Sequence, residues 1–286
     1  MGTVSLKSIL EIEQIDDLIF RGFTPQGGTG RVYGGQVIAQ GLSAASHTVE
    51  NRSCHSLHAY FLRPGDRSKP IIYDVDIARD GRSFSSRRVT AIQNGKQILN
   101  MALSFQVEET GLEHAEEMPD VPAPETLKSL QELQSDIIDK IPEEFRENIL
   151  RKRAYEVRPV TPMDYINPKP IEKLNNVWIR LTDDTIPDDL DHQRLVLAYM
   201  SDLTLLDSGL RVHGKDYMNT DLQTASLDHA LWFYHPYKID DWLLFSQHSP
   251  VTGAGRGLNF ASIYTRDGKL VASASQEGLM RERLGD

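Results

Sequence analysis

A chain of 286 residues, 40% apolar and 25% charged, has the composition of a globular protein with room for two ordinary domains. Its net charge of −10 disfavours nucleic acid as a partner, since phosphate binding wants a basic surface, and no apolar run approaches the ~20 residues that span a bilayer. A single cysteine, Cys54, excludes an internal disulfide and points to a reducing compartment; in a strand-like segment it reads as a small buried thiol.

The opening MGTVSLKSILEIEQIDD lacks the basic start and unbroken apolar stretch of a secretory signal, and fits a myristoylation pattern only loosely because its sixth residue is Leu6. Apolar spacing over 5–20 predicts a short helix running into a strand that ends near Gly22. Gly27-Gly28-Thr29-Gly30 is a glycine loop, but no Gly-Lys-Ser/Thr follows, which argues against a phosphate cradle. Gly34-Gly35-Gln36 then opens VIAQGLSAASHTV, a predicted buried helix whose Ala39, Gly41, Ala44 and Ala45 let it lie close to a sheet. Strands are predicted at 55–62, 70–80, 83–93 and 97–107, the last pair joined by the hairpin signal Asn94-Gly95.

From about 108 to 153 the composition shifts to a proline-punctuated, acidic segment that reads as a linker carrying short surface helices. Strands resume at 155–160 and 176–181, and Asp188-Asp189 starts a helix expected through 190–206. A second meander occupies 225–236, 242–249, 257–264 and 270–280. Its first strand, TASLDHALWFYHP, echoes the first half: HAYFLRP (58–64) lies on ALWFYHP (230–236), and Asp267-Gly268 answers Asn94-Gly95. The chain therefore reads as one α+β unit used twice: 1–110, a linker at 111–153, and 154–286.

Three polar groups interrupt the apolar faces of the second unit. Asp202 falls in a stripe made by Leu195, Ala198, Tyr199, Leu205 and Leu206, where an ionised carboxylate is costly unless paired; capping of a second short helix is the alternative. Gln276 ends the row Leu270, Ala272, Ala274, and Ser226 opens the face that alternation assigns to Asp228, Ala230 and Trp232. A carboxylate, a hydroxyl and an amide can together orient and deprotonate water. No G-x-S-x-G elbow or metal-ligand spacing is present, so neither a seryl nucleophile nor a metal or other cofactor is expected.

The stretches VYGGQVIAQGLSAA (32–45), HSLHAYFLRPGD (55–66), KPIIYDVDIARDGRSFSSRRVTAIQNGK (69–96), YMSDLTLL (199–206), SLDHALWF (226–233) and VASASQEGLMR (271–281) resemble the acyl-CoA thioesterase II family of bacteria and peroxisomes. The resemblance implies a double hot-dog fold: two tandem units, each a long helix wrapped by an antiparallel sheet. It also implies a catalytic set of Asp202, Ser226 and Gln276, activating water to hydrolyse fatty acyl-CoA without a covalent intermediate. Leu103 takes the place of Gln276 in the first unit, so that half keeps the scaffold without the chemistry. Bacterial members often form dimers or tetramers, and a homo-oligomer is expected. The end Arg283-Leu284-Gly285-Asp286 is not a peroxisomal address, which favours a cytoplasmic enzyme.

Arg87, Arg88 and Arg63 are the candidate cations for the coenzyme phosphates, with Arg67, Arg79, Arg82 and Arg256 as further basic residues near strand ends. Two other readings stay open: an enoyl-CoA hydratase on the same fold, and a non-catalytic acyl-CoA-binding protein. The hydratase would need an Asp/His pair, and Asp228-His229, as strand neighbours, face opposite sides.

Overall fold

The computed structural model describes residues 5–25, 30–141, 143–171, 174–216 and 221–283. Residues 1–4, 26–29 and 284–286, which bear on lipidation, the glycine loop and targeting, lie outside this set.

The first half comprises α1 (Leu6–Leu10), β1 (Glu13–Asp16), β2 (Ile19–Gly22), α2 (Gly34–Ser46), β3 (Ser53–Phe61), β4 (Ile71–Asp80), β5 (Phe84–Gln93) and β6 (Lys96–Gln106). Asn94 and Gly95 both take positive φ, 51° and 70°, the geometry that closes a two-residue hairpin without splaying its strands. α2 is buried from Gly35 through Ala45, as a helix apolar on nearly all sides must be. Ile38 and Leu42, at most 1% exposed, each contribute about 2 kcal/mol of burial.

After short helices α3 (Leu130–Ser135) and α4 (Glu143–Leu150), the second half runs β7 (Tyr155–Pro159), β8 (Asn175–Leu181), α5 (Leu190–Met200), α6 (Asp207–Arg211), β9 (Leu222–Ser226), β10 (Asp228–Phe233), β11 (Leu243–Gly253), β12 (Arg256–Thr265) and β13 (Leu270–Glu282). The strands form one antiparallel sheet in the order β1-β2-β4-β5-β6-β3-β10-β13-β12-β11-β8-β7, with β9 also on β13. The two halves are zipped together at β3–β10, from Asp228 opposite Tyr60 to Trp232 opposite Ser56. α2 and α5 pack against each other, and their buried faces belong to one core with both halves of the sheet. The fold is thus an α+β double hot-dog.

Two elements differ from the sequence expectation. The helix expected to reach Leu206 ends at Met200, beyond which the chain tightens into a turn closed by Leu203 N–H on Met200 O (3.0 Å). The expected single strand at 225–236 is split. Ser226 stands opposite Gly278, but Ala230 stands opposite Ser275, so four steps on one strand match three on the other. This is a β-bulge, and Asp228 Oδ1 accepts the Glu277 N–H at 2.7 Å within it.

The linker does more than connect. Met118, Val121 and Leu127 pack on Trp178, Trp242, Leu244 and Tyr264, a second apolar cluster separate from the main core. Trp178 Nε1 donates to Pro122 O (3.0 Å), Arg158 Nη1 donates to Pro124 O (2.8 Å), and Arg266 pairs with Glu125 (2.7 Å).

Expressed alone, residues 1–110 would leave the β3 edge that normally meets β10 unpaired, a liability that strands relieve by pairing with another copy. Sedimentation should show the fragment dimeric or insoluble; a stable monomer would show that the halves do not need each other's edges.

Candidate active site

The site is built where the end of α5 meets the start of α2. Asp202, in the turn after α5, accepts the Gly35 backbone N–H at 2.9 Å on Oδ2. That N–H belongs to the first turn of α2, where no intrahelical partner exists and the helix dipole favours a negative group. The approach requires glycine: a Cβ on Gly34 would lie 2.7 Å from Asp202 Oδ2, and one on Gly35 would strike the Tyr199 carbonyl. Tyr33, just ahead, donates its hydroxyl to the same carbonyl at 2.8 Å and sets its ring edge-on to Tyr199.

The other carboxylate oxygen, Oδ1, accepts from Gln276 Nε2 (2.5 Å) and from Ser226 Oγ (3.3 Å). Two of the three residues singled out in the sequence therefore bond to the carboxylate of the third. Burial pushes the Asp202 carboxyl up to about 6, against the opposing pull of its bonds from Gln276, Gly35 and Ser226. Gln276 is fully buried, and its Oε1 has no hydrogen-bond partner among the described residues.

The bulge changes which face Ser226 occupies. Plain alternation puts it with Asp228, Ala230 and Trp232, whereas the structure aims it at Asp202, on the side of the buried His229 and Leu231. His229 is a site residue that sequence reasoning set aside. Its Nδ1 lies 3.1 Å from Gln276 Nε2 and its Nε2 lies 2.8 Å from Ser201 Oγ. Burial lowers its pKa to about 4, so the ring is neutral. Asp228 and His229 do face opposite sides, and Asp228 bonds to the Glu277 N–H instead of the imidazole.

The proposed coenzyme cations separate. Arg87 is corrected: it is 2% exposed, its guanidinium donates to Thr48 Oγ1 (2.8 Å), Thr48 O (2.9 Å), Ser86 O (3.0 Å) and Arg79 O (3.2 Å), and it pairs with Asp80 (2.9 Å). It holds the C-terminal end of α2 to the sheet and is turned to these acceptors, away from solvent. Arg88 is exposed beside it in a surface pocket of about 400 Å³ with Arg79, His58 and Ser104. Both lie toward the end of α2 away from Gly35, a helix about 20 Å long. Arg63, by contrast, is exposed two residues past Phe61, whose ring lies near Gly34. Arg31, not singled out in the sequence, is exposed too and donates to Thr224 O (3.1 Å), two residues before Ser226. Arg256 is engaged with Glu277 at 2.9 Å.

Profiles of known families match both halves of the chain, acyl-CoA thioesterase over 146–279 and acyl-CoA thioesterase N-terminal domain over 23–106. Acyl-CoA thioesterase 2 of Haemophilus influenzae is 39% identical over 278 residues, covering 97% of each chain. The chain belongs to the acyl-CoA thioesterase family. Human acyl-coenzyme A thioesterase 8 is 33% identical over 98% of this chain and 90% of its own. The crystal structure of the acyl-CoA thioesterase II TesB2 from Mycobacterium marinum superposes with a TM-score of 0.80 at 39% identity, covering 99% of this chain and all of that one. This thioesterase-family chain is accordingly an enzyme of the thioester hydrolase class.

Two outcomes follow. Arg87→Ala should lower stability by about 2 kcal/mol or more, as buried acceptors lose their donor, without raising KM for substrate. A raised KM at unchanged melting temperature would put a phosphate back on Arg87. A base at Asp202 works only when ionised, so kcat/KM should fall as pH drops through about 6. A pH series placing that limb near about 4 instead would mean that solvent, not burial, governs the carboxylate.

Proposed function

We propose that this thioesterase hydrolyses fatty acyl-CoA to free acid and coenzyme A by direct attack of a water molecule that Asp202, Ser226 and Gln276 hold and activate. The observation that carries the reading is the convergence of a hydroxyl, an amide and a helix N–H on one carboxylate raised to about 6. Asp202 takes a proton from the water as the oxygen adds to the thioester carbonyl. Gln276, donating Nε2–H to Oδ1, holds the carboxylate that receives the proton. The positive end of α2, whose N-cap residue Tyr33 supplies no side-chain cap, supports the oxyanion that develops. Collapse of that intermediate expels the coenzyme A thiolate, and the proton held by Asp202 neutralises it. Ser226 has no histidine bonded to it: the ring of His229 is engaged by Ser201 and Gln276. This favours water over serine as the nucleophile.

Arg31 and Arg63, exposed at the approach to the carboxylate, are the cations proposed to receive the coenzyme phosphates. Arg88, toward the other end of α2, is not.

Free-thiol release from palmitoyl-CoA tests the reading. Asp202→Asn, Ser226→Ala and Gln276→Ala should each lower kcat by ~10²-fold or more, with losses far from additive in combination. A burial-raised carboxyl weakens the fold as pH climbs from the ordinary 3.8 to about 6. The Asp202→Asn protein should therefore melt no lower than the parent in mildly alkaline buffer. Near-normal turnover in Asp202→Asn would remove the mechanism. Substituting Arg31 and Arg63 together should raise KM and spare kcat, whereas Arg88→Ala should change neither.

A further inference from the structure

Behind the carboxylate runs a chain of hydrogen bonds with a fixed direction. Ser201 donates its hydroxyl to Ala198 O (3.0 Å), so its oxygen is free to accept from His229 Nε2 at 2.8 Å. A neutral imidazole that donates through Nε2 presents Nδ1 as an acceptor, and the group within reach is Gln276 Nε2 at 3.1 Å. The same amide nitrogen has its second hydrogen on Asp202 Oδ1, at 2.5 Å. Both N–H groups of Gln276 are then used, and its carbonyl oxygen is left buried without a partner. Rotating the amide by half a turn would set that oxygen against an ionised carboxylate, and against an imidazole nitrogen that carries no hydrogen.

We propose that His229, with Ser201 behind it, is a positioning residue that fixes the flip of the Gln276 amide, so that its two N–H groups stay on Asp202 and the imidazole. The inference rests on the reading of Asp202 and Gln276 as the water-activating pair and adds what keeps that pair in register. His229 reaches no reacting atom itself. The other titratable side chains facing Asp202 are Tyr33, ahead of α2, and Tyr199, on α5, and burial keeps both protonated. Asp228 and Glu277 sit on the opposite side of the strands, joined through the Glu277 N–H. The amide's orientation is therefore set by His229 and Asp202 together.

The test compares His229→Leu, which removes the acceptor, with His229→Asn, whose Oδ1 stands near the place of Nδ1. In His229→Leu only the Asp202 carboxylate still opposes a turn of the amide. Then kcat should fall by roughly 10-fold to 100-fold with KM within about twofold, and the acid limb of kcat/KM should move to higher pH. His229→Asn should recover most of kcat and return the limb, a rescue that a purely packing role would not give. Unchanged kcat and an unmoved limb in His229→Leu would overturn the proposal. If Asp202→Asn and Gln276→Ala are inactive while His229→Leu is silent, only the positioning role fails; if the first two remain active, the water-activating site itself is wrong. Should His229→Leu not fold, nitrogen-15 spectra of the histidine-labelled parent decide. The resonance pair absent from the His229→Asn spectrum should show hydrogen on Nε2 and a bare Nδ1 from about pH 5 to about pH 8. Hydrogen on Nδ1, or a doubly protonated ring in that interval, would overturn the assignment.

Discussion

The interaction on which the rest depends is the contact of one carboxylate with one helix start, Asp202 on the N–H of Gly35. It comes from opposite halves of the chain, so it can exist only if both halves fold against each other. It draws a charge out of water, which is costly, and offsets the cost with three directed hydrogen bonds. The surroundings follow from that requirement. Two consecutive glycines let the backbone approach, α5 stops at Met200 so that Asp202 leaves the helix axis, and a bulge turns Ser226 toward it. The raised proton affinity of Asp202 is the chemical yield of the same burial.

Much of this was legible in residue order. Asn94-Gly95 announced its turn because both residues must take positive φ, and the small, apolar run after Gly35 announced a helix with no face left for water. Asp202 and Gln276 were visible as polar interruptions of apolar rows. What escaped was whatever breaks a period. A two-residue alternation carries no sign of the extra residue near Leu227, so the face given to Ser226 was the wrong one. His229, placed correctly on its strand, was weighed only as a partner for Asp228, because its actual partners, Ser201 and Gln276, lie 28 and 47 positions away.

Charge misled for a related reason. Arg87 and Arg88 are adjacent in sequence and seemed to form one cationic patch, yet strand geometry sends the first inward and the second outward. Inside, a guanidinium with five donors can satisfy the end of a helix and a sheet at once, and that is where Arg87 sits. The linker was similarly opaque. Its prolines and acidic residues mark a connector, while the apolar residues that fix it to Trp178 and Trp242 are few and widely spaced.

The repeated architecture also has a history written in it. Laid on the second half through the shared strand pattern, the first half carries Cys54, Leu57 and Leu103 where Ser226, His229 and Gln276 stand. Two identical units meeting as separate chains would have to give every residue both roles, since each copy is clamp for its neighbour and chemist for itself. Fusion into one polypeptide dissolves that symmetry. The start of α2 is free to be only a glycine clamp, and the end of α5 only the bearer of the carboxylate it holds.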